Sequence, residues 1–101
     1  MLIKRYFKTK EEVEVTFEYE SESAEAVALV SEANNWAPVK MSQRKKDGIF
    51  YTKVRLPKDE QYQYRYLVDG QNWENDSAAD SYIQNEFGGE NSIVDTTDPA
   101  N

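Results

Sequence analysis

The sequence predicts an antiparallel β-sandwich, because apolar residues recur mainly with period two and the alternating stretches are short and divided by Asp-Gly, Gly-Gly and Pro signals. Val13, Val15, Phe17 and Tyr19 alternate with Glu14, Thr16, Glu18 and Glu20, which describes a strand with one core face and one wet acidic face. A second strand follows Asp47-Gly48, with Phe50, Thr52, Val54 and Leu56 sharing an inner face until Pro57 stops the pairing. The stretch from Gln61 to Val68 is the clearest. Tyr62, Tyr64, Tyr66 and Val68 lie on one side and Gln61, Gln63, Arg65 and Leu67 on the other, before Asp69-Gly70 turns the chain back toward Trp73 as a hairpin.

Residues 21 to 30 mix good helix formers with a possible terminal strand, and the reading adopted is a strand over residues 26 to 31. A short strand from Ser92 to Asp95 is expected after Gly88-Gly89, and Thr96 to Asn101 reads as a flexible tail. Six or seven short strands without a clear helix give a sandwich with Phe17, Phe50, Val54, Tyr64 and Tyr66 facing inward.

At 101 residues the chain is one domain, residues 1 to 101, with a single core. It contains no His and no Cys, which excludes a disulfide, a thiolate or imidazole metal site, a Cys nucleophile and a Ser-His-Asp triad. No cofactor is expected. The net charge is −7, residues 11 to 32 hold eight Glu and no base, and the chain after Arg65 holds eight acids and no base. Such a surface repels phosphate, so neither nucleic acid nor an anionic membrane is expected as a partner. Charge interrupts every apolar pair between Met1 and Lys8, unlike a signal peptide, and a cytoplasmic location is expected.

Three polar segments rich in Asn and aromatics lie between the strands: Asn34-Asn35-Trp36, Gln71 to Asp76, and Asn85 to Asn91. A sugar ring has an apolar C–H face and an equator of hydroxyls, so a site for it needs flat aromatics beside amides and a guanidinium. The same tryptophans would serve equally as a cap on the core and as packing under a loop. Paired carboxylates for hydrolysis could be drawn from Glu74, Asp76, Asp80, Glu86 and Glu90, which otherwise read as a solvated acidic face. The stretch from Glu74 to Asp80 lacks the spacing and central Gly of an EF-hand loop. Asn75-Asp76-Ser77 has the form of a glycosylation acceptor, without meaning in a cytoplasmic chain.

Several runs, in order, carry a family resemblance: Val27 to Trp36, Asp47-Gly48-Ile49-Phe50, Leu56-Pro57, Tyr62 to Gly70, Trp73, and Phe87-Gly88-Gly89-Glu90-Asn91-Ser92-Ile93-Val94. Together they resemble a family 48 carbohydrate-binding module, also called the isoamylase N-terminal or early-set domain, which includes the glycogen-binding module of the AMP-activated protein kinase β subunit. The complete chain also looks like the small free-standing bacterial early-set proteins. The resemblance implies an all-β, immunoglobulin-like early-set antiparallel β-sandwich that binds α-1,4-linked glucan such as glycogen or starch without catalysis. It implies that Trp36 and Trp73 stack on glucose rings, Arg65 and Asn91 hydrogen-bond hydroxyls, and Phe87 reaches around the chain. An α-glucan-processing enzyme is an implied partner, and a protein-interaction or structural module without its own sugar site is the other role such domains serve. Two positions depart from the pattern. Ser31-Glu32-Ala33 stands where the family usually has Gly, an acidic or small residue and Phe, which removes a core anchor from the Trp36 loop; Arg65 stands where glycogen binders commonly have Lys.

Overall fold

The computed structural model describes residues 1–99. Strands β1 (Leu2–Tyr6), β2 (Glu12–Tyr19), β3 (Val27–Ser31), β4 (Val39–Lys40) and β5 (Ser42–Gln43) precede the long pair β6 (Phe50–Pro57) and β7 (Gln61–Val68). Strands β8 (Asn72–Glu74), β9 (Ser81–Gln84) and β10 (Glu90–Asp95) follow. They form two antiparallel sheets, one ordered β1-β2-β6-β5 and the other β4-β3-β7-β10-β9, with β8 continuing alongside β7. The all-β sandwich is the predicted fold. No helix among the described residues is long and apolar enough to cross a membrane.

The period-two pattern places the core as drawn from sequence, but the outer face of β2 is not wholly wet: Thr16 and Glu18 are buried, and the Glu18 carboxylate is covered by Arg44 at 2.6 Å. Val13, Val15 and Phe17 of β2 meet Tyr64, Tyr66 and Val68 of β7 in one buried cluster, with Phe50 and Leu56 from β6 and Val54 packed at its margin. Phe17 packs edge-on against Tyr64 at 5.0 Å between ring centroids, and Tyr64 against Tyr66 at 5.8 Å. Burial of both phenols demands an acceptor for each O–H. Asp76, only 3% exposed, provides it: its Oδ2 accepts from Tyr64 at 2.8 Å and from Tyr66 at 3.2 Å. The Met1 ammonium lies 2.6 Å from the same carboxylate, and the Asp76 N–H donates to Ser92 Oγ. This carboxylate, read from sequence as part of a solvated acidic face or else of a hydrolytic pair, therefore faces the core. Asp80 is likewise engaged, with Lys4 at 2.6 Å and the Asp95 N–H at 2.8 Å.

The Asp69-Gly70 turn has both residues at positive φ, 52° and 68°, and is closed by the Gln71 N–H on the Val68 carbonyl, so that three residues separate the paired Val68 and Asn72. Asp69 also accepts the N–H groups of Glu25 and Ala26 through Oδ1, which ties the hairpin to the entrance of β3. The segment expected as a flexible tail from Thr96 is docked over its described part. Thr96 is 0% exposed; its hydroxyl lies within hydrogen-bond reach of the Pro57 and Glu60 carbonyls and accepts the Glu60 N–H, closing the β6–β7 turn. Tyr6 donates to the Thr97 carbonyl, and Lys58 pairs with Asp98 at 3.2 Å. The last two residues of that expected tail, 100 and 101, lie outside the described residues. Strands β4, β5 and β9 were not anticipated. The first two are only two residues long, and β9 carries no alternation, since all four of its side chains are exposed.

Candidate functional site

The parity of β7 positions the site. With Tyr64 and Tyr66 inward, Gln63 and Arg65 stand on the outer face near the middle of the six-stranded sheet. Trp73 of β8 is opposite Leu67, so it shares that face and lies diagonally from Arg65. The Arg65 guanidinium sits over its ring, 5.7 Å from the centroid. Further along the same edge of β7, Ser92 is opposite inward-facing Tyr64, so its neighbour Asn91 points outward.

The remaining walls are loops. After β3 the chain makes a 3₁₀ turn, Glu32–Asn34, and then places Asn35 and Trp36 at φ 53° and 62°. Asn tolerates this left-handed region; Trp does so at a cost. The conformation is held by the Trp36 N–H on the Ser31 carbonyl at 2.8 Å and by Asn34, whose side chain donates to the Ala37 carbonyl. Glu32 also anchors this loop. Its Oε1 accepts the Gln63 N–H at 2.8 Å, just past the point where β3 stops pairing with β7, so the loop is fixed to the sheet. Opposite it, the β9–β10 turn is built on Asn85, whose Oδ1 accepts the N–H groups of Phe87 and Gly89. Gly88, at φ 86°, allows the reversal, and Phe87 projects from the tip, 89% exposed.

Trp36, Gln63, Arg65, Trp73, Asn85, Glu86, Phe87 and Asn91 line one cleft of about 660 Å³. All five site residues expected from sequence are thus brought together, from β7, β8, β10 and two loops. The tryptophans are 42% and 49% exposed, so each presents part of a ring to the cleft. Arg65 Nε is shielded from solvent and has no hydrogen-bond partner among the described residues. Asn91 donates to Gln63 Oε1 at 2.9 Å and accepts from Asn85 Nδ2 at 3.2 Å. The cleft therefore combines apolar faces with amide and guanidinium donors, plus one carboxylate, Glu86.

A family profile for the glycogen recognition site of AMP-activated protein kinase matches residues 13–101. The chain belongs to this family. It is a carbohydrate-binding-module family, and the match agrees with the resemblance read from Val27 to Val94. A comparison with curated proteins returned no match. Among solved structures the chain is similar to part of the enterobactin esterase FES from Shigella flexneri, solved in the presence of 2,3-di-hydroxy-N-benzoyl-serine, with a TM-score of 0.75 and 10% identity. That likeness covers 94% of this chain and 32% of the esterase, so the chain spans about a third of its length, and at this identity the likeness concerns the fold.

Three lining residues had no role assigned from sequence. Gln63 was placed on the right face by parity with Arg65, and only its pairing with Asn91 gives it a part. Asn85 had a legible signal, an Asn two residues before the Phe87-Gly88-Gly89 reversal. Glu86 was one of five carboxylates that could pair for hydrolysis or else belong to a solvated acidic face, with no part in a sugar site.

Proposed function

We propose that the cleft binds α-1,4-linked glucan chains, of the glycogen or starch type, without chemistry of its own. The observation that carries this reading is two half-exposed tryptophans on opposite sides of a row of hydrogen-bond donors. Trp36 and Trp73 stack on the apolar faces of glucose rings, Arg65 and Asn91 bond hydroxyls between them, and Phe87 closes over the chain. The curvature of an α-1,4 chain suits a cleft with stacking surfaces at both ends better than a flat platform. Family membership supports carbohydrate as the ligand class. The domain then serves to hold an α-glucan-processing enzyme near its polymer.

Each ring covers about 80–100 Å² of sugar, which is worth about 2 kcal/mol at 25 cal/mol per Å². Hydrogen bonds that exchange with water add about 1 kcal/mol each. Ordering the sugar chain subtracts from this, so a single site has a dissociation constant of about 100 μM to 1 mM, while a polymer with many sites binds more tightly. Isothermal titration with maltoheptaose, beside cellohexaose as control, tests the reading. Binding of the first alone, little changed by salt, is the expected result, since stacking is not screened. Absence of binding to maltoheptaose and to glycogen overturns it, and no reducing sugar should be released from either.

A further inference from the structure

We propose that Asn85 is a positioning residue that sets the hydrogen-bond polarity of the cleft, through an amide relay running Asn85 to Asn91 to Gln63. A backbone N–H can only donate. The N–H groups of Phe87 and Gly89 approach the same terminal atom of Asn85, at 2.9 and 3.1 Å, so that atom is the carbonyl oxygen and the other is the NH₂ group. That NH₂ lies 3.2 Å from a terminal atom of Asn91, which must therefore be Oδ1. The Asn91 NH₂ is thereby turned to Gln63, 2.9 Å from the atom that must be Oε1. The Gln63 NH₂, which makes no hydrogen bond among the described residues, is left to the cleft that the residue lines.

One turn in the β9–β10 hairpin thus fixes the orientation of three side-chain amides, the last of them in the middle of the sheet. An Asn or Gln amide has no intrinsic preference between its two flipped forms. Without Asn85 the Asn91–Gln63 pair could run in either direction, and the cleft would present a mixture of donors and acceptors. With it, the floor offers the Gln63 NH₂, the second Asn91 N–H and the terminal NH₂ groups of the Arg65 guanidinium. All are donors. A ligand is therefore held through oxygen lone pairs on the floor, and Glu86 on the wall is left as the carboxylate acceptor. The relay belongs to the folded chain; only its use by sugar hydroxyls rests on the glucan-binding reading.

Two isosteric substitutions of equal charge test the direction. Asn85→Asp keeps an oxygen for the Phe87 and Gly89 N–H groups, so the turn persists, but it sets a second oxygen against Asn91 Oδ1 and forces the relay to reverse. Gln63→Glu keeps an acceptor for the Asn91 NH₂ and leaves the relay as it is. In the sugar-free protein, nuclear Overhauser contacts from the Asn91 side-chain NH₂ protons to the residue-63 side chain should be present in the parent and in Gln63→Glu, and lost in Asn85→Asp with its melting temperature kept. Maltoheptaose affinity of Asn85→Asp should fall about fivefold, the value of one neutral hydrogen bond. The opposite pattern, contacts kept in Asn85→Asp and lost in Gln63→Glu, overturns the proposal. Loss in Gln63→Glu alone is enough to overturn it, so the test survives a failure of Asn85→Asp to fold. If the contacts behave as expected and no form binds maltoheptaose, the relay stands and the glucan reading fails.

Discussion

Consecutive residues of β7 face two different worlds. Tyr64 and Tyr66 are fully buried, interlocked with Phe17 and with each other, and both hydroxyls end on Asp76. Gln63 and Arg65, one residue away, face the cleft, where the Gln63 NH₂ has no partner among the described residues and two tryptophans show half their surface. The inner face has its polar atoms satisfied; the outer face keeps unspent hydrogen-bonding capacity. Stability and recognition are thus assigned to alternate side chains of one strand, and substitutions on the two faces should be separable in their effects.

The largest effect is expected at Asp76. Asp76→Ala leaves the buried Tyr64 hydroxyl without an acceptor, leaves Tyr66 only the Glu18 carbonyl at 3.3 Å, and removes the carboxylate beside the Met1 ammonium. With about 1–3 kcal/mol for a buried hydroxyl left unpaired, the loss should be about 2–4 kcal/mol. Urea unfolding measures it, and glucan affinity of the folded fraction should be unchanged, since Asp76 lies beneath the sheet. Equal stability of parent and variant would mean that the tyrosines find other acceptors and the division between faces fails.

Alkaline pH should act on the same face. Burial, then the neighbouring tyrosine and Asp76, push the Tyr64 hydroxyl far above its ordinary range; burial and Asp76 do so for Tyr66. A pKa raised in the folded state means the unfolded chain releases its protons first. Stability from these groups is therefore complete below pH 10 and declines above it, by about 1.4 kcal/mol per pH unit for each tyrosine. Denaturant titrations at pH 9, 10 and 11 would show the decline, with tyrosinate absorbance from the core appearing only as the chain unfolds. A Tyr64→Phe variant should show a shallower slope.

On the outer face the prediction is the converse. Trp73→Ala should cost about 2 kcal/mol of glucan binding, a loss of roughly 30-fold, because it removes one stacking surface. It also removes the ring over which the Arg65 guanidinium lies. Its melting temperature should change less than that of Asp76→Ala. If binding and fold are lost together, Trp73 acts as a core residue and the outer face is not free of structural duty.

The two faces were not equally legible in the sequence. Alternation along Val13 to Tyr19 and Gln61 to Val68 was enough to place the core, because a one-residue slip would expose every tyrosine. The same parity put Arg65 outward, and the family resemblance supplied Trp36, Trp73, Phe87 and Asn91. What parity cannot show is which loop residue completes which strand. The Glu32 bond to the Gln63 N–H, the Asn85 turn and the burial of Thr96 against the Pro57 and Glu60 carbonyls all join residues distant in sequence, through backbone groups that look alike in every residue. Asp76 was misread for the same reason. A carboxylate in a polar loop looks solvated until the hydroxyls it must serve are placed beneath it.

The smallest effect concerns the backbone under Trp36. At φ 62° a side chain bearing a Cβ is strained, and glycine is not. Ala and Gly variants both lose the indole, so both lose the stacking surface and whatever packing the buried part of the ring provides. They differ in the Cβ alone. At an ordinary position Ala is the more stable of the two, by about 0.5–1 kcal/mol in regular structure. Here the order should invert, with Trp36→Gly about 1 kcal/mol more stable than Trp36→Ala, read from the midpoints of urea unfolding. Neither variant should bind maltoheptaose as the parent does. If Ala proves the more stable, the left-handed backbone is a consequence of the ring's own contacts and relaxes without them. If Gly does, the strain is imposed by the Ser31, Glu32 and Asn34 hydrogen bonds, and the loop holds its strained shape so that a large aromatic ring stands over the cleft.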